Sequence, residues 1–224
     1  MAARPRVLVA RVLPQAGLDM LTERFEVETG GVRLDRDWLL DRAAGAGGIV
    51  ADPTVPVDAE LLDAAGEALR VVANFAVGYD NIDTLAVRDR GVRATNTPDV
   101  LTNATAELAV GLMLAVGRRL VETDAVLRRG EWTGWEPEQF LGRELSGATV
   151  GLVGFGRIGQ RVAELLRGFG TRVVFAARRP MDEAAVRLGA ERVDLDELLG
   201  VSDYVSLHVS LTPDTRHLID SDRL

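Results

Sequence analysis

The strongest single constraint on this chain is Gly154-Phe155-Gly156-Arg157-Ile158-Gly159, set between two segments of different periodicity. Ahead of it, Ala148–Val153 is an apolar run with β-branched residues, the pattern of a buried strand. Behind it, Val162, Leu165, Leu166 and Phe169 recur at helical spacing, and Gly170 is placed to end that helix. Thr171–Ala177 then reads as a second strand around Val173, Val174 and Phe175. Strand, glycine turn, helix, strand is the context in which a G-x-G-x-x-G predicts dinucleotide binding. Without that context the glycines would mark turns only, and the chain has 23 of them.

Each position of the motif has a physical role in this reading. Gly154 permits a tight turn out of the strand. Gly156 lets backbone N–H groups approach a pyrophosphate, and Gly159 lets the helix pack closely. Arg157 and Ile158 begin a helix whose N-terminus offers unpaired N–H groups and a positive dipole end to phosphate.

Read from its start, the chain alternates strands and helices. Strands are expected at Val7–Ala10, Phe25–Thr29, Gly47–Ala51, Arg70–Ala76 and Gly91–Thr95. Helices are expected after Pro14, after a cap at Asp35, after a cap at Asp58 and over Asp83–Arg90. Such alternation implies a parallel sheet with right-handed crossovers, so residues 1–97 read as a flavodoxin-like α/β domain. Thr97-Pro98-Asp99 is the boundary signal: Pro98 biases Thr97 away from helix, and Asp99 can cap the next helix. Val100–Val121 is the longest helical candidate, with Leu101, Leu108, Leu112, Met113 and Ala115 able to share a broad face, and Glu122–Leu127 extends or restarts it. Gly130–Gly142 reads as a loop holding Trp132 and Trp135. After the glycine motif, Asp182–Leu188 and Asp196–Leu199 read as helices, with a short strand near Arg192 and a clear one at Tyr204–Val209. Residues 98–224 thus predict a Rossmann-type nucleotide domain that is incomplete. Tyr204–Val209 would begin the second side of its sheet with an uncovered edge, an aggregation hazard.

Composition narrows the chemistry. The net charge of −8 disfavours nucleic acid and anionic membrane as partners. All 26 basic residues are arginine, so a lysine Schiff base is excluded, and Cys is 0, which removes disulfides, thiolate metal sites and cysteine nucleophiles. The N-terminus has no signal-peptide core and no apolar run approaches the ~20 residues of a membrane span. A cytoplasmic location follows by default.

Several stretches together resemble a known family: Asn74–Asp83, Thr95–Glu107, the glycine motif, and Leu207–Thr215. They are similar to the D-isomer-specific 2-hydroxyacid dehydrogenases, and within these to the glyoxylate/hydroxypyruvate reductases. The resemblance covers the whole chain. It implies a two-domain, NAD(P)-dependent oxidoreductase that reduces a small 2-oxo acid, works as a homodimer and holds substrate in its first domain. Backbone N–H groups at Val77 and Gly78 would bind the substrate carboxylate; on sequence alone this is equally a strand-to-helix turn. Thr105 would meet the cofactor, against the alternative of a hydroxyl bonded to its own helix. His208 and Ser210 would line the cofactor edge, with Ser210 where many relatives have proline. Trp135 would border the partner's substrate pocket while Trp132 packs on its own domain.

The family's catalytic arginine, glutamate and histidine follow the Leu-Thr-Pro-Asp-Thr motif. Neither His208 nor His217 matches that histidine, so the resemblance implies that the chain as given lacks the catalytic residues and is inactive, as a truncated form would be. Cofactor choice shows one departure. Where the family's ribose-binding acid is expected, about 20 residues past the first glycine, the chain has Ala177 followed by Arg178 and Arg179. This favours NADP, as NADPH, over NAD. The alternatives are two solvated arginines, a sister dehydrogenase of the phosphoglycerate or formate type, or a non-catalytic nicotinamide-binding regulator on the same fold.

Overall fold

The computed structural model describes residues 4–223. They form two compact units, the first ending at Val100 and the second beginning at Leu101. No helix among the described residues is long and apolar enough to cross a membrane.

The first unit runs β1 (Arg6–Val9), α1 (Gln15–Thr22), β2 (Glu26–Thr29), α2 (Arg36–Ala43), β3 (Gly48–Ala51), α3 (Ala59–Ala65), β4 (Val71–Asn74), α4 (Thr84–Asp89) and β5 (Arg93–Thr95). The five strands form one parallel sheet in the order β2-β1-β3-β4-β5. That is the flavodoxin-like order. β1 and β3 are buried almost throughout while the edge strands β2 and β5 are not, as expected of a parallel sheet covered on both faces. Local chemistry fixes the helix starts: Asp35 accepts from Trp38 N–H, Asp58 from Leu61 N–H and Asp83 from Ala86 N–H. The core gathers Leu8, Leu39, Ile49, Leu61 and Val72 between sheet and helices.

The second unit contains α5 (Thr102–Gly117), α6 (Leu120–Arg128), β6 (Thr149–Val153), α7 (Arg157–Leu166), β7 (Arg172–Ala176), α8 (Asp182–Leu188), β8 (Ala190–Arg192), α9 (Leu195–Val201) and β9 (Tyr204–Leu207). Its parallel sheet has the order β8-β7-β6-β9, so the chain reverses direction across the sheet at β6. This matches the 3-2-1-4 part of the doubly wound Rossmann order. β9 lies at the sheet's edge, with Val205 and Leu207 exposed.

Three expectations for the long helix fail for identifiable reasons. Asp99 does not cap it: Asp99 takes a φ of 71°, and Leu101 occupies the N-cap without a side-chain bond. The helix does not run to Val121, because Arg119 adopts a left-handed conformation (φ 54°) and α6 restarts beyond it, held by Arg119 Nε and Nη2 on the two oxygens of Glu122, each at 2.7 Å. The core face is Ala106, Val110, Met113 and Gly117, not the face of Leu108 and Leu112, which are exposed. Gly117 is needed there, since a Cβ would fall 2.1 Å from the Tyr204 hydroxyl. Nor does Trp132 pack fully on its own unit: it is half exposed, with Nε1 donating to Gln139 Oε1 at 3.2 Å.

Candidate functional site

The glycine motif leaves β6 and enters α7, and the surroundings of each glycine give its role. Gly154 has a φ of 98°, and a Cβ on it would fall 2.5 Å from the carbonyl oxygen of His208 at the end of β9. Gly159 lies under that turn: its Cβ would fall 2.4 Å from Gly154 O. Gly156 is different, for a Cβ there meets no atom within 4 Å. It is the N-cap of α7 and offers no side chain to the first-turn N–H groups. Among the described residues, the N–H groups of Ile158 and Gly159 have no partner, and the ladder begins at Gln160 N–H to Gly156 O. Phe155, between the two glycines, turns inward and stacks on Phe175 of β7, centroids 3.9 Å apart. That stack anchors the turn to the core, and the opposite side of the turn stays open.

The open side faces a cleft of 840 Å³ at the carboxyl ends of all four strands, where doubly wound sheets bind ligands. Gly154, Gly156, Ala177, Arg178, Arg179, His208 and Ser210 line it together. Arg157 and Ile158 open α7 beside it, and Thr105 sits in the first turn of α5 outside the lining. The Thr105 hydroxyl makes no hydrogen bond among the described residues, so the self-bonded alternative is not observed. Val77 and Gly78 belong to the first unit, where they follow β4. Trp135 lies in the loop after α6 and is 81% exposed.

Arg178 and Arg179 are exposed on the β7–α8 loop and make no hydrogen bond or ion pair among the described residues. Sequence reasoning missed a third arginine. Arg192, at the end of β8, lines the same cleft and donates from Nη2 to Ala177 O at 3.0 Å, tying the loop that carries the other two. It also missed Asp194 and Glu197, which bring carboxylates into the cleft from α9, Asp194 being engaged as that helix's cap on Glu197 N–H at 2.8 Å. Their signal was the adjacency of β8 to β7, which no local pattern carries. No cluster of His, Cys, Asp and Glu suited to a metal exists among the described residues.

His208 is half-buried, with Nε2 3.0 Å from Ser206 Oγ. Burial alone holds its imidazole below the ordinary value of 6.5. The folded state therefore favours neutral His208, while the unfolded chain takes up the proton first as pH falls. Stability from this residue is complete above pH 6.5 and is lost on acidification through the lower, folded value. Thermal midpoints measured from about pH 7.5 down to about 5 are expected to fall more steeply for the wild type than for His208→Gln; parallel profiles would contradict this.

Comparison with known proteins agrees with the geometry. Residues 110–224 match the model of a family described as D-isomer specific 2-hydroxyacid dehydrogenase, NAD binding domain. A glyoxylate reductase of Thermococcus onnurineus is 47% identical over 227 residues, covering 99% of this chain and 68% of the relative. The crystal structure of the TT0316 protein from Thermus thermophilus has a TM-score of 0.90 at 47% identity, covering 97% of this chain and 69% of that one. The crystal structure of a glyoxylate reductase from Paecilomyes thermophila has a TM-score of 0.83 at 30% identity, covering 98% and 69%.

Proposed function

Since the chain belongs to the D-isomer specific 2-hydroxyacid dehydrogenase family, we propose that it serves the NADPH-dependent reduction of glyoxylate to the hydroxy acid. The cofactor half rests above all on Gly156, whose empty Cβ position lies in the cleft beside the unpaired N–H groups of α7. The residues present suit a dinucleotide. The first turn of α7 offers donors and a dipole to the pyrophosphate. Arg178 and Arg179, at the end of β7, suit a 2′-phosphate on the adenosine ribose. When bound, the reduced nicotinamide supplies the hydride that adds to the 2-oxo carbon.

The chain's own part is binding and orientation. The Val77 and Gly78 N–H groups hold the substrate carboxylate, with residues 1–97 as the substrate domain and residues 98–224 as the cofactor domain. His208 is no proton donor in this scheme, because burial disfavours its protonated form and its Nε2 lies 3.0 Å from Ser206 Oγ. His217 is exposed in a left-handed turn. We therefore expect the 224 residues by themselves to bind NADPH without turnover. Joined to the segment that follows the Leu-Thr-Pro-Asp-Thr motif in a glyoxylate reductase, they should oxidise NADPH with glyoxylate. A folded chimera with no such activity overturns the functional reading, and steady turnover by the 224 residues alone overturns the statement about the proton donor.

Leu108, Leu112 and Val116 recur every fourth residue on α5 and are all exposed, which supports a homodimer formed over this face. In that dimer Trp135 borders the partner's substrate pocket. Trp135→Ala in the chimera should raise KM for hydroxypyruvate about tenfold, roughly 1.4 kcal/mol. An unchanged KM with an intact dimer, read by steady-state kinetics and sedimentation, contradicts this role.

A further inference from the structure

The turn after β4 is fastened in a way its proposed role does not require by itself. Three successive carbonyl oxygens point into the first unit and are held there. Ala76 O accepts from Thr97 N–H at 2.8 Å, Val77 O from Asn96 Nδ2 at 2.8 Å, and Gly78 O from Asn74 Nδ2 at 2.9 Å. No peptide bond among the described residues is cis. In a planar trans peptide the N–H points opposite to the C=O. Holding Ala76 O therefore turns the Val77 N–H outward, and holding Val77 O turns the Gly78 N–H outward. Neither N–H has a partner among the described residues. Asn74, 2% exposed, is the one buried polar residue described, so its amide has no solvent to fall back on.

Asn74 is itself held by a reciprocal amide pair. Its Nδ2 donates to Asn81 Oδ1 at 3.0 Å, and Asn81 Nδ2 lies 3.2 Å from Asn74 Oδ1. Asn81 Nδ2 also reaches Asp52 O at 3.0 Å and Val55 O at 2.9 Å on the β3–α3 loop. The end of the turn is thus registered to a neighbouring strand's loop, and its start to β5 through Asn96 and Thr97. At Gly78 the nearest atom to an added Cβ is Asp80 Oδ1 at 2.9 Å, the end of an exposed side chain that can turn away.

We propose that Asn96, seconded by Asn74, is a positioning residue for substrate: by holding the Val77 carbonyl inward, Asn96 aims the Gly78 N–H at the carboxylate of a small 2-oxo acid, while Asn74 holds the next carbonyl, that of Gly78, in place. The inference rests on the Val77–Gly78 reading above. Asn96 carries the Gly78 N–H directly. Asn74 fixes the following peptide and keeps the turn from relaxing.

Amide-resolved NMR of the isotope-labelled 224-residue protein, titrated with oxamate at saturating NADPH, tests it. In the wild type the Val77 and Gly78 amide protons should shift saturably. Asn96→Ala should weaken oxamate at least tenfold and remove most of the Gly78 shift, while the NADPH affinity and the thermal midpoint stay close to wild type. A general loss of structure would instead move all of these together. Asn96→Ser, too short to reach Val77 O, provides a second folded variant with the same expected loss. Unchanged oxamate affinity and an unchanged Gly78 shift in both variants overturn the positioning role. Silent Val77 and Gly78 amides in the wild type overturn the carboxylate reading itself, and the positioning role with it.

Discussion

Gly154→Ala is expected to lower stability by about 2–6 kcal/mol, whereas Gly156→Ala, two residues on, should lower it by no more than about 1 kcal/mol and yet weaken NADPH roughly ten- to a hundredfold. The contrast follows from where each Cβ would fall. At Gly154 the φ of 98° is strained for any side chain, and the new atom would fall 2.5 Å from His208 O, which is backbone and cannot swing away. Backbone strain contributes ~1–3 kcal/mol and overpacking another ~1–3 kcal/mol. In a chain of this size each kcal/mol lowers the thermal midpoint by about 2–4 °C. At Gly156 the new methyl touches no protein atom, so folding loses only the small preference for Gly over Ala at an N-cap. In the proposed binding mode the methyl instead occupies the space that the pyrophosphate needs. Thermal unfolding and calorimetric titration of both variants separate the two effects. Equal midpoints for the two, or full NADPH affinity in Gly156→Ala, would contradict the assignment of roles within the motif.

The second large effect is expected at Arg178. An acid at position 177 would accept hydrogen bonds from the ribose diol and repel a 2′-phosphate; Ala177 does neither. Arg178 and Arg179 both line the cleft without partners among the described residues, and the loop carrying them is tied by Arg192 on Ala177 O. A charged hydrogen bond to phosphate contributes ~1.5–3 kcal/mol, about ten- to a hundredfold in affinity. Arg178→Ala should therefore weaken NADPH by that order and leave NADH almost unchanged, as read by isothermal titration with both cofactors. Asp194 and Glu197 supply the rival outcome, because carboxylates from α9 could serve a ribose diol instead. A wild type that prefers NADH, or equal losses for both cofactors in the variant, would favour these acids over the arginines.

Much of this site was legible because its elements are set by local sequence. Val150–Val153 and Val173–Phe175 are buried and read as strands without reference to anything distant. Between them, Gly154 is set by its own positive φ and Gly159 by its closeness to Gly154 O, both local constraints. The caps at Asp35, Asp58 and Asp83 are equally local. The illegible part depends on which elements become neighbours. Leu108 and Leu112 have the spacing of a core face, yet that face is outward, because α5 presents its small residues, Ala106 and Gly117, to the second unit's core. The restart at Arg119 needs a left-handed arginine, which no propensity favours. Arg192 reaches the β7–α8 loop only because β8 pairs with β7, and Asn96 reaches Val77 only because β5 lies beside β4. Residue type alone marks none of these contacts.

The proposed function puts a nicotinamide dinucleotide in the cleft at the carboxyl ends of β6, β7, β8 and β9, with its pyrophosphate on the glycine turn. A crystal structure of the protein grown with NADPH would locate that cofactor. The pyrophosphate oxygens are expected within hydrogen-bond distance of the N–H groups of Ile158 and Gly159, over the open side of Gly156, with the adenosine 2′-phosphate beside Arg178 or Arg179. A dinucleotide bound away from the Gly154–Gly159 turn, or no binding at millimolar NADPH by a folded protein, would contradict the assignment.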